Sequence, residues 1–205
     1  MRFHLSLLIL GLWAIVQVSP CRCADDRHYE FSGRLSSLKM DSDILGDGWH
    51  GPSGLVVDDL ADTSPLTEPE KSFADRLAKV ARAKGVTACA DFTYTRKDKP
   101  RIVTLRVFVF KRQEDALAWW NEKYDAPEAR KLYRAVSGFG DRALDSIQLA
   151  KRIVLMDNCL FTCHQLHDGV EYQRVLESYM KKMRELAKTD NRVGGAIADP
   201  APHTT

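Results

Sequence analysis

Cysteine and histidine crowd together once in this chain, in the run Cys159-Leu-Phe-Thr-Cys163-His164-Gln-Leu-His167. Three chemistries use such residues. Haem attachment takes two thiols and an axial imidazole from Cys-x-x-Cys-His in a tight loop or helix start; here the spacing is one residue longer. Zinc takes about four nitrogen or sulfur ligands, and Cys163, His164 and His167 leave the fourth without an obvious source. A thiol enzyme or redox centre needs a thiolate beside a base, which would be Cys163 with His164 or His167, or with His50 from elsewhere in the chain.

Alternation of apolar residues from Ile153 through Gln165, interrupted by Asp157-Asn158, predicts two strands and a two-residue turn. Successive side chains of a strand leave on opposite faces, so Cys159, Phe161 and Cys163 are expected in the core and His164 away from them. On this reading the chain has no catalytic residue, metal or cofactor. A thiol-dependent enzyme, or a redox or metal protein centred on Cys159, Cys163, His164 and His167, is the rival. Cys89, Cys159 and Cys163 are also disulfide candidates, since an exported protein usually meets an oxidising compartment. Four residues along one strand separate Cα atoms by about 13 Å, beyond the roughly 7 Å that a disulfide tolerates, so any bridge would use Cys89.

Binding residues are sought elsewhere. Arg106, Phe108 and Phe110 share one face of a strand, a mixed polar and aromatic set that would be odd on a merely wet surface. Arg96, Lys97 and Lys99 concentrate charge at a hairpin tip, diluted by Asp98. Trp119 lies about 100° around a helix from Trp120; Trp120 belongs to the apolar stripe, which sends Trp119 to the rim or into a binding surface. Asp41 and Asp43 begin a calcium-like spacing that fails at Leu45 and at Pro52, where oxygen ligands belong. None of the phosphate-loop, dinucleotide, serine-elbow or zinc-helix signatures occurs. That moves weight toward binding, and the ligand is left as an unknown protein or small molecule.

The elements that must position these residues read as follows. Leu55 to Val57 is a short strand, and Thr67 with Glu70 caps a helix over 68–84 that Gly85 stops. Runs 86–94 and 102–110 form an antiparallel hairpin. A helix after Arg112 buries Ala116, Leu117, Trp120 and Tyr124; another, opened by Pro127, buries Ala129, Leu132, Tyr133 and Val136 up to Gly138. Strands at 142–147, 152–156 and 159–165 precede a helix capped by Asp168 and Glu171. Because strands follow one another by short turns, the fold class is α+β: a mostly antiparallel sheet of about five to six strands, helices packed on one face, and a closing C-terminal amphipathic helix.

Residues 1–23 read as a secretory signal peptide, with Arg2 before the apolar run Leu5 to Val18. Pro20 stands where the lipoprotein peptidase takes a small residue, which argues against a lipid anchor at Cys21. The protein is expected to be exported, secreted or periplasmic, with no transmembrane segment after cleavage. Residues 24–53 read as a polar lead-in, 54–187 as a single α+β domain and 188–205 as a disordered tail. Segment 1–23 holds Arg2 and Arg22 and no acid, so the remainder is neutral. Nucleic acid is not an expected partner, because phosphate binding needs surplus Lys and Arg on one face. This layout resembles the architecture of PsbP-type and related extracytoplasmic ligand-binding or sensor modules, a likeness of fold, which does not carry function.

Overall fold

The computed structural model describes residues 30–68, 70–75, 84–99, 101–166 and 170–194. Runs rich in Val, Ile, Phe and Thr pair into β1 (Trp49–Val57), β2 (Val86–Arg96), β3 (Arg101–Phe110), β4 (Tyr133–Val136), β5 (Arg142–Ser146), β6 (Lys151–Met156) and β7 (Cys159–Leu166). All seven are antiparallel in one sheet, ordered β1-β2-β3-β7-β6-β5-β4. Three hairpins carry the chain from β4 back to β7, which closes on β3. Helical residues 70–75 (α1) lie between β1 and β2. Helices α2 (Gln113–Tyr124) and α3 (Pro127–Arg130) follow β3, and α4 (Glu171–Gly194) follows β7.

Alternation divides the buried residues between two faces. Phe92, Tyr94, Val103, Leu105, Val107, Val154, Phe161 and Cys163 point to the first, where Val175, Leu176, Tyr179 and Met183 of α4 cover them. There the Tyr94 and Tyr179 hydroxyls meet at 2.8 Å, and Tyr94 donates to the Met40 carbonyl at 2.8 Å. Burial pushes the Tyr179 hydroxyl up to about 12. Cys89, Phe110, Ile153, Leu155 and Leu160 point to the second face, where Trp119 and Trp120 of α2 and Phe73 and Ala74 of α1 cover one end only. The antiparallel α+β plan with its closing helix is as expected; the strands number seven, and helices reach both faces.

Four further features differ from the sequence reading. Residues Tyr133–Val136 extend along β5 instead of continuing a helix, which stops at Arg130 and leaves Leu132 50% exposed. Pairing of Tyr133 with Ser146 and Val136 with Ala143 supplies the backbone partners that a lone helical turn lacks. The polar lead-in is folded from residue 30: short 3-10 turns at Leu35–Leu38 and Ser42–Leu45 bury Phe31, Leu35, Leu38 and Leu45 in the first-face core. Strand β1 begins at Trp49, six residues earlier than expected, and passes so close to β2 that a side chain at Gly54 (φ 155°) would meet the Asp91 carbonyl. Helix α4 runs on to Gly194 in place of a tail from 188. The signal segment 1–23, His167, Asp168 and residues 195–205 lie outside the described residues.

Candidate functional site

The uncovered end of the second face is built from cross-strand rows. One row, Cys89–Phe108–Leu160–Leu155, is apolar. The next, Leu55–Asp91–Arg106–Thr162–Ile153, turns polar at its centre. A third, Ser53–Thr93–Thr104–His164–Lys151, is polar across five strands. Beyond it Ile102 pairs with Leu166, which is 50% exposed. A polar band thus lies beside an apolar row, with Ile102 and Leu166 on its far side.

The charges of the band are arranged unevenly. Arg106 grips Asp91 with both edges of a fork, Nε to Oδ1 and Nη2 to Oδ2 each at 2.7 Å, yet its side chain stays 45% exposed. Hydrogen bonding to Asp91 raises the guanidinium further above its ordinary range. Thr93 and Thr104 hydroxyls lie 3.4 Å apart. Lys151 forms no ion pair among the described residues; its ammonium lies over the Tyr133 ring and donates to that hydroxyl at 3.4 Å. His164 is half-buried, and burial first, then Lys151 and Arg106, hold its pKa below the ordinary histidine value. Its imidazole is therefore neutral at pH 7 and can both donate and accept. Tyr124, pushed up to about 12 by burial and by Tyr133, adds an aromatic edge beside Thr162.

Of the sequence candidates, Arg106 lies in this band and half-buried Phe108 in the apolar row beside it. Phe110 and Trp119 do not: they are 1% and 7% exposed and pack on each other with centroids 5.7 Å apart, sealed between α2 and the sheet. Trp119 also stacks on Phe108 at 5.9 Å. Arg96, Lys97 and Lys99 form the β2–β3 tip; Arg96 is taken by Asp98 at 2.6 Å, leaving Lys97 and Lys99 as exposed ammonium groups. Lys151, Thr104, Thr162 and Tyr133 were not singled out by sequence, although the period-two pattern places Thr162 and His164 on the face of Arg106 once β7 is known to pair with β3.

The cysteines are dispersed as alternation predicts. Cys159 and Cys163 are buried on the first face, while His164 stands on the second. Burial raises both thiols well above the ordinary value. Cys89 is buried on the second face, its thiol pushed up to about 12 by burial and then by Asp91. All three are free, and the proposed bridges through Cys89 are corrected. Cys89 is opposite Phe108, and Phe108 opposite Leu160, so two strand spacings, about 9.6 Å, separate β2 from β7. The sheet itself also lies between the sulfurs.

No family model matches the chain, and no curated protein matches it, so the resemblance to PsbP-type modules rests on layout alone. Among solved structures the chain is similar to the extracellular domain of PknH from Mycobacterium tuberculosis, at 12% identity over 74% of this chain and 95% of that one, with a TM-score of 0.43. A likeness that loose says nothing of what this chain does. No described helix is long and apolar enough to cross a membrane.

Proposed function

We propose that the protein is an exported, non-catalytic domain that binds a protein or small-molecule partner across the open end of its second sheet face, and that the group recognised is planar and anionic. Export rests on the signal-like residues 1–23. The observation that carries the binding reading is the polar row Ser53–Thr93–Thr104–His164–Lys151 beside Arg106, with Ser53 and Arg106 exposed and the others half-buried. Lys151 supplies a cation with no acid partner among the described residues, Thr104 and neutral His164 supply hydrogen bonds, and Phe108, Tyr124 and Tyr133 supply ring edges. Against a thiol centre of Cys163 with His164 stands the departure of the two side chains on opposite faces of their strand.

Titration with 4-hydroxybenzoate, followed by amide chemical shifts, tests the reading. Saturable shifts should gather at Thr104, Arg106, Lys151 and His164, and Lys151→Glu should weaken binding by about tenfold or more. Shifts that avoid these residues, or an undiminished affinity in the variant, would refute it.

A further inference from the structure

The first face holds a buried cation. Arg152 stands on β6 in line with Val154 and Met156, so alternation drives its guanidinium beneath α4, where its side chain is 6% exposed. Asp145, its cross-strand partner, occupies one edge: Nε donates to Oδ1 at 2.6 Å and Nη2 to Oδ2 at 2.9 Å. A guanidinium has five N–H donors in a rigid fork, and this grip leaves those of Nη1 over. Among the described residues Nη1 has no partner. Buried donors are rarely left so, and a planar fork with one free edge matches a second oxyanion.

Phe139 links the guanidinium to a surface groove. Phe139 stacks on the guanidinium, 4.0 Å from its carbon to the ring centroid. The same ring lines a groove of about 430 Å³ between residues 138–140 and α4, with Glu177, Met180, Lys181, Arg184 and Lys188. Glu177, another lining residue, also lies near enough to favour the Arg152 charge. Basic residues outnumber acidic ones along it, three against Glu177 and Glu185. Phe139 is flanked by Gly138 and Gly140, both with left-handed backbones (φ 87° and 52°). A side chain at Gly140 would meet the Leu155 carbonyl at 2.4 Å, so the loop is pinned there to β6, against the strand that carries Arg152.

We propose that this groove is a second binding site, which takes the carboxylate of a small aliphatic acid on the free Nη1 edge of Arg152 and lays its chain on Phe139 and Met180. Phe139 is the side chain that turns aside to admit the oxygens. Glu177 is the carboxylate that competes for them. Hexanoate, with hexanamide as its uncharged match, is the probe, read by the amide shifts of Phe139, Gly140, Glu177 and Met180. Hexanoate should give a saturable shift and hexanamide none. Glu177→Gln should tighten hexanoate by about threefold and Arg184→Glu should weaken it by about as much. The double variant Asp145→Leu with Arg152→Met, which removes the charge pair together and so spares the fold, should abolish binding. Equal binding of hexanamide, undiminished binding in the double variant, or shifts confined to Thr104, His164 and Lys151 on the other face would each overturn the assignment.

Discussion

Asp145→Ala is expected to destabilise the domain by about 3–5 kcal/mol, as measured by the midpoint of urea unfolding at unchanged slope. Asp145 and Arg152 are 8% and 5% exposed, and the carboxylate is the partner of two of the guanidinium nitrogens. Removing it strands a positive charge under α4 with no hydrogen-bonded acid among the described residues. Replacing both partners by apolar residues of similar volume should recover most of that loss, because a buried ion pair is desolvated at nearly the cost of its mutual attraction. A drop below about 1 kcal/mol for the single variant would mean that water reaches the pair.

Asn158→Ala is expected to be of comparable size, through different physics. The side chain is 2% exposed and makes three bonds to backbone: Oδ1 accepts from Phe31 N at 2.8 Å, and Nδ2 donates to the carbonyls of Phe31 at 3.0 Å and Phe110 at 2.8 Å. It acts as a piece of strand, holding residues 30–45 against the end of β3. Alanine leaves three buried backbone groups without partners, each costing about 1–3 kcal/mol, for a loss of roughly 3 kcal/mol or more. Amide exchange should accelerate first at Phe31 to Leu38, ahead of β3 and β7. Uniform acceleration across the sheet would contradict the stapling role.

These two positions also show where the sequence was legible. Period-two alternation sets out β2, β3, β6 and β7 and the dispersal of the thiols, because the first face of those strands is covered and the second only at one end, so each residue's direction has consequences. Arg152 was readable in principle: a charged residue in register with Val154 and Met156 falls in the core and demands a partner, and Asp145 is the acid on the neighbouring strand. Asp157-Asn158 reads as a turn, and Asp157 does adopt the left-handed backbone (φ 51°). The clasp of Asn158 on Phe31, 127 residues away, leaves no local trace.

The misread segment at 132–136 fails for a related reason. Tyr133 and Val136 are three apart and satisfy a helical period as well as a short strand, and only the distant β5 decides between them. The lead-in has the same character. Phe31, Leu35 and Leu38 carry a helical spacing too brief to stand alone, and their place is fixed by Asn158, by Asp58 bonding Ser36, and by Tyr179 bonding the Met40 amide. For the candidate site, sequence gave Arg106 and Phe108 but not the polar row, because a row across five strands exists only after β7 is known to lie beside β3.

The proposed function rests on one sheet that buries Cys159 and Cys163 on its first face and sets Arg106 and His164 on its second. Alkylation of the folded chain with iodoacetamide at neutral pH, resolved by peptide mass, tests this most directly. Cys89, Cys159 and Cys163 should each react at least about a thousandfold more slowly than a free thiol, at a rate that rises in Asp145→Ala in step with its loss of stability. Cys163 or Cys159 labelling at the rate of an exposed thiolate would contradict the assignment.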